Sequence, residues 1–247
     1  MASRTKAAAA LREAPEPAKP AVWEPARPKT MVDHAVAAII SGASRGVILP
    51  GDRIVEADLA KGLGMSRVPI REALRILESQ GVVTSTPYKG IRLMDMTHER
   101  LEQVLDVRAD LEILAARRAI EAGRNDEAGI TKLSRARNEL ELVANRDDIS
   151  GFALADAAFH RHLVQLSGNP VLSMLWESLS RQVTIIVGLA TLGKPMKEIV
   201  KEHDLLIKVF ASGDKRAMAR EINEHIVVLS HTIDFDAIIA ERRARRA

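Results

Sequence analysis

The sequence predicts a mostly α-helical protein in two parts: an N-terminal winged helix-turn-helix, then an all-α six-helix bundle. Three observations carry this. Aromatic residues are 3% of the chain against 47% hydrophobic, so the cores are aliphatic, and the abundant Leu, Ala, Arg and Glu favour helices. Residues 30–95 run helix, short helix, tight turn, helix and then two β-prone stretches. From Thr97 onward the helical pattern is interrupted only near Gly123–Asp126, Arg146–Ser150, Gly168–Pro170, Gly193–Pro195 and Gly213–Asp214.

The elements follow in order. Residues 1–29 are rich in Pro, Ala and charge and read as a flexible arm. "TMVDHAVAAIISG" opens the 30–95 domain as a helix, "LPGD" is a turn, and "IVEADLAKGLG" is a short second helix closed by Gly64. In "SRVPIREALRILESQG" Ser66 is placed to cap a helix with its hydroxyl. Pro69 falls in the first turn, where its missing N–H breaks no bond. Ile70, Ala73, Leu74 and Leu77 make one buried face, and Gly81 suits a left-handed end. Arg67, Arg71 and Arg75 recur every four residues on a different, outward face. Val82–Thr86 and Ile91–Met94 flank a turn at Tyr88–Gly90. The breaks in the second half delimit six helices within residues 97–240, with Asp126, Ser150 and Asp214 as N-caps; Asn169 is a further cap.

The chain has 247 residues, a net charge of +3 and no cysteine, which excludes disulfides and thiolate metal sites. No apolar run approaches the roughly 20 residues that span a bilayer. "AAAAL" is too short for a signal-peptide core, so a soluble cytoplasmic protein is expected. Charge is unevenly spread. Residues 1–30 carry six basic and three acidic side chains, and residues 96–247 carry 22 and 23, four of the 22 in the final "ERRARR". A basic front and an acidic back suit a chain whose front meets a polyanion.

In a winged helix-turn-helix the second helix of the pair enters the major groove with its first residues nearest the bases. Here those are Ser66, Arg67, Pro69 and Arg71. Arginine offers guanine or phosphate a planar two-pronged donor set. Glu72, on the same helix, reads as a partner for an arginine.

In the second half, Asp156 and His160 lie four apart and share a helix face, with His162 roughly 200° round from it. His203 sits among Val200, Leu206 and Ile207, and His225 among Ile222, Ile226 and Leu229. Each histidine alone reads as a satisfied core residue. Together with an aspartate they also form the N and O donor set of a divalent metal. His34, His98, His162 and His231 read as surface or packing residues.

"LPGDRIVEADLAKGLGMSRVPIREALRILESQGVV" resembles the DNA-binding domain of the GntR family of bacterial transcription regulators, over about residues 31–95. "VRADLEILAARRA", "DAAFHRHLVQLSGN", "EHDLLIKVFASGD" and "AMAREINEHI" resemble, in order, the FCD ligand-binding domain of the family's FadR-type branch. Six rather than seven helices resembles the VanR-type subgroup. The resemblance implies that Arg67 and Arg71 contact DNA and that Lys89 and Gly90, at the hairpin tip, approach its minor groove or backbone. It also implies that Asp156, His160, His203 and His225 hold one divalent transition metal per chain, zinc first, then nickel or manganese. The implied partners are double-stranded operator DNA with an inverted repeat, a second copy of the chain in a homodimer, and a small carboxylate-bearing metabolite.

Arg108 falls where the family often has an arginine facing the ligand. The alternative is an outward salt bridge with Glu112, at i+4. Arg181 is a weaker second candidate. The segment Met94–His98, joining wing to bundle, is the expected hinge. Two other readings stand beside a metabolite-responsive regulator. One keeps DNA binding with a purely structural metal. The other is a metal-dependent hydrolase, disfavoured because the one nearby carboxylate, Glu202, is expected to point away from the face of His203.

Overall fold

The computed structural model describes residues 30–228 and 230–246; the arm read over residues 1–29 lies outside the described residues. Thr30 opens α1 (Met31–Ser44) with a reciprocal cap, its hydroxyl accepting from the Asp33 N–H while Asp33 accepts from the Thr30 N–H. Then come β1 (Arg53–Ile54), α2 (Glu56–Gly62), α3 (Arg67–Ser79), β2 (Val83–Thr86) and β3 (Gly90–Leu93). The strands form an antiparallel sheet in the order β1-β3-β2. Strand β1 was not anticipated: it ends on Ile54, the first residue of the stretch read as helical, and two residues are too short to show an alternating pattern.

Two expected caps differ. Ser66 has the extended backbone of an N-cap, but its hydroxyl makes no capping bond and is exposed. The cap before α6 is Asp148 rather than Ser150, because its carboxylate reaches the Gly151 N–H at 3.0 Å. Gly81 does take the left-handed conformation, at φ +66°.

The bundle comprises α4 (His98–Glu121), α5 (Glu127–Ala144), α6 (Ile149–Leu166), α7 (Pro170–Ala190), α8 (Met196–Ser212) and α9 (Lys215–Asn223). Its breaks fall at the five expected places. Asp126, Asn169 and Asp214 cap as read. After α9 the chain departs from the pattern: it runs into a π-helical turn (Glu224–Val228), a 3₁₀ turn (Ser230–Thr232) and α10 (Phe235–Ala244), capped by Asp234. No glycine or proline marks that break, and the apolar run conceals it.

The two parts share one apolar core, in which Ile39, Ala43, Val183, Ile186 and Leu189 are all buried. α1 lies across α7 so closely that a Cβ on Gly188 would stand 2.4 Å from Ser44 Cβ. Gln182 donates to the Gln80 carbonyl at 2.7 Å, Arg100 donates to Gln182 at 2.9 Å, and Arg181 is hydrogen-bonded to Gln80. Arg181 therefore serves the junction between the parts and lines a cavity between α1 and the bundle, separate from the one that Arg108 lines. α10 adds a strap: Arg243 donates to the Pro50 carbonyl at 2.7 Å, and Arg246 binds Asp52 at 2.6 Å and the Gly46 carbonyl at 2.8 Å. Among the described residues no helix is long and apolar enough to cross a membrane.

Candidate functional site

Two sites are built on this frame. In the first, Ile70, Ala73, Leu74 and Leu77 anchor α3 on the small domain and turn its other side to solvent. Arg67 is exposed and makes no hydrogen bond or ion pair among the described residues. Arg71 Nε is 2.8 Å from Glu56 Oε2 of α2, and Arg75 pairs with Glu72, also at 2.8 Å. Pro69 is half-buried in the first turn of the helix. At the hairpin tip Lys89 is exposed and Gly90 half-buried, with Arg53 directly beneath Gly90. Tyr88, at φ 64°, and Val68, on the outer face of α3, are the exposed apolar side chains of this surface. They were missed because an exposed apolar residue leaves no periodic signal.

The second site lies in the middle of the bundle. Asp156 and His160 come from α6, His203 from α8 and His225 from the π-helical turn, and one potential ligand atom from each falls within 4.8 Å of all the others. All four are buried. A π-turn displaces the side chains that follow it relative to a regular helix, which suits its frequent use at sites. His160 Nδ1 is 2.6 Å from Glu112 Oε2, His203 Nδ1 is 2.8 Å from the Ile199 carbonyl, and His225 Nδ1 is 3.3 Å from Glu202 Oε2. At His160 and His203 an acceptor at Nδ1 keeps the proton there and leaves Nε2 a bare lone pair, whereas His225 Nδ1 stands beside Glu202 and makes no hydrogen bond among the described residues. His203 Nε2 lies 3.2 Å from Asp156 Oδ1, and His225 Nε2 lies 3.3 Å from His160 Nε2. Those separations match the edge, roughly 3.3 Å, of a tetrahedron with bonds of about 2.0–2.1 Å. His203 Nε2 and Asp156 Oδ2 are buried without a hydrogen-bond partner, as ligand atoms would be. The residues fit a divalent metal.

Glu112 is the site residue that sequence reasoning missed, having entered only as the outward partner in the alternative reading of Arg108. It is fully buried, and it accepts from Arg108 Nε at 2.9 Å and from Trp176 Nε1 at 3.0 Å as well as facing His160. Burial raises its carboxyl, but His160, Arg108 and Trp176 outweigh burial and hold the pKa at about 2. The Arg108–Glu112 pair thus forms as anticipated, but inside the bundle. The buried stripe of α4, Leu105, Arg108, Ala109, Glu112 and Ala116, carries both at helical spacing, and the phase of that stripe was the available signal. Arg108 Nη2 remains without a hydrogen bond, 3.8 Å from Asp156 Oδ2.

Burial raises the Asp156 carboxyl, yet the close approach of His203 and the nearby His160 and Arg108 hold it well below the usual range. Burial pushes His225 down to about 4 and also lowers His160. At neutral pH Asp156 is therefore a carboxylate, and His160 and His225 are neutral imidazoles. Beside it opens a cavity of about 40 Å³ lined by Arg108, Asp156, Lys194, Glu202 and His225 among others, more than a single water needs. Glu202 does not point away from the cluster: on α8 it is only about 100° round from His203, and Lys194 holds it at the cavity mouth.

Comparison with known proteins agrees with this architecture. Residues 32–93 match the family model of bacterial regulatory proteins, gntR family, and residues 103–227 match that of the FCD domain. A "Probable D-xylose utilization operon transcriptional repressor" of Paenarthrobacter nicotinovorans is 26% identical over 188 residues, 76% of this chain and 82% of that protein. An "Uncharacterized HTH-type transcriptional regulator YdhC" of Bacillus subtilis (strain 168) is 30% identical over 182 residues, 73% of this chain and 80% of that one. The solved structure of E. coli McbR/YncC has the same fold, with a TM-score of 0.67 at 20% identity, covering 82% of this chain and 98% of its own. The chain belongs to the gntR family of bacterial regulatory proteins, with an FCD domain as its second part, and is a DNA-binding transcription regulator rather than an enzyme.

Proposed function

We propose that the protein is a cytoplasmic, homodimeric repressor that releases its operator when a small carboxylate-bearing metabolite binds beside a metal in the bundle. One observation carries this reading. Asp156 and His225 of the metal-fitting cluster line a single cavity together with Arg108, one of whose guanidinium nitrogens is unpaired among the described residues. A divalent ion there, zinc in the first instance, would be held by those four residues and would supply a Lewis-acidic position for a carboxylate oxygen. Arg108, oriented by Glu112, would bind the acid through its free N–H group.

On the DNA side, Ser66, Arg67, Pro69 and Arg71 would enter the major groove, with Lys89 and Gly90 at the flanking backbone or minor groove. Arg67 is free to do so, whereas Arg71 would exchange Glu56 for DNA. Two-fold pairing suits an inverted repeat. Val171, Met174 and Leu175, exposed on one face of α7, support a second copy there.

The signal has a route. Ser230 and Ile233 line the cavity, and the chain continues from them into α10, whose Arg243 and Arg246 hold the loop of residues 46–52 in the DNA-binding part. An effector that favours one position of this strap would reposition the DNA-binding part relative to the bundle, together with the Met94–His98 segment. The test is fluorescence anisotropy of labelled operator DNA on the metal-loaded protein during titration of candidate acids. Release by an acid in the wild type and its loss in Arg108→Ala support the reading. Release that persists unchanged in Arg108→Ala overturns it.

A further inference from the structure

A second ion pair stands at the mouth of the same cavity. Lys194, in the loop of residues 191–195 between α7 and α8, pairs with Glu202 Oε1. The other oxygen of Glu202 stands 3.3 Å from His225 Nδ1. Both side chains are largely enclosed, at 14% and 19% exposure, so this is no ordinary surface pair. An acid bound between the metal ligands and Arg108 extends its far end towards this pair.

The charges can be counted. Arg108 cancels Glu112, Lys194 cancels Glu202, and Asp156 leaves one negative charge, which a divalent cation turns into one positive. One carboxylate restores neutrality. A second would lie in a poorly hydrated space against Glu202, whose charge Lys194 has already neutralised. A hydroxyl fits instead: the ammonium keeps donors beyond the one given to Glu202, and the carboxylate keeps acceptor positions.

Resting on the effector reading above, we propose that the Lys194–Glu202 pair makes the site selective for small hydroxy monocarboxylates and excludes dicarboxylates of the same size. Specificity of this kind comes from a built-in repulsion as much as from attraction.

The experiment is calorimetric titration of the metal-loaded full chain with glycerate and with malonate, which share three carbons and four oxygens. Metal content is measured on every variant. The wild type is expected to bind glycerate about tenfold or more tightly than malonate. Glu202→Gln, which keeps an oxygen towards His225 but removes the charge, is expected to narrow or invert that ratio. Lys194→Met, which leaves Glu202 uncompensated, is expected to widen it, and this serves as the second variant should Glu202→Gln lose metal. Malonate binding as tightly as glycerate in the wild type, or a ratio unmoved in metal-replete variants, overturns the proposal. Binding of neither acid to the wild type overturns the effector reading on which it rests, and the proposal with it.

Discussion

His160 Nε2 and His225 Nε2 face each other at 3.3 Å with their rings stacked at 18° to one another, although 65 residues separate them. Each ring turns its other nitrogen to a glutamate, Glu112 or Glu202. A divalent ion between them would bind both nitrogens, in an arrangement that only the folded chain supplies. A divalent ion should therefore raise the melting temperature and a chelator lower it. At a free ion concentration of 100 times Kd the gain is about 2.7 kcal/mol, or roughly 5–10 °C for a chain of this size. Thermal unfolding with and without chelator measures it; identical curves would count against a preformed site.

Without metal the same burial makes the protein acid-sensitive. His225 has a folded pKa of about 4 against an ordinary 6.5, so between these values the unfolded chain takes up a proton that the folded one refuses. Glu112, at about 2 rather than 4.5, gives stability above pH 4.5 that is lost as pH falls towards 2. Both effects have the same sign. The metal-free melting temperature should fall as pH drops from 6.5 to 4, and His225→Leu should flatten that limb. A flat wild-type profile would contradict it.

On the DNA surface, Arg67 and Arg71 should behave differently under mutation. Arg67 has no partner within the described chain, so Arg67→Ala should weaken operator binding and leave the melting temperature unchanged. Arg71→Ala should cost about 1–3 kcal/mol of operator affinity if it reads a base, and it also forfeits the Glu56 pair. Lys89→Ala should weaken all DNA sequences alike and reduce the salt slope by about 1. Anisotropy at matched salt separates these outcomes.

The strap predicts a loss of communication without a loss of binding. Arg243→Ala with Arg246→Ala should leave effector affinity measured by calorimetry nearly intact. The effector-dependent change in operator affinity, expected at about 1–3 kcal/mol for such coupling, should shrink towards zero. Undiminished coupling would return the whole signal to the Met94–His98 segment.

How much of this was legible depended on periodicity. The buried face of α3 and the five breaks of the bundle stand out because apolar spacing, glycines and capping residues mark them. Asp156 and His160 could be paired from their i, i+4 spacing alone. Their union with His203 and His225 required tertiary folding, as did the tautomers set by Glu112 and Ile199. Glu112 entered only as the outward partner in the alternative reading of Arg108, although it lies in phase with the core stripe of α4. The π-turn at His225 and the strap beyond it left no trace, since no breaker residue interrupts "HIVVLSHTIDF".

The central claim is that these four residues hold a metal, and elemental analysis of the purified protein tests it most directly. The account predicts close to one divalent ion per chain in the wild type and none in His203→Ala combined with His225→Ala, with the variant still folded by circular dichroism. Full metal content in that folded double variant, or a wild type that takes up no ion when dialysed against zinc, nickel or manganese, would contradict it.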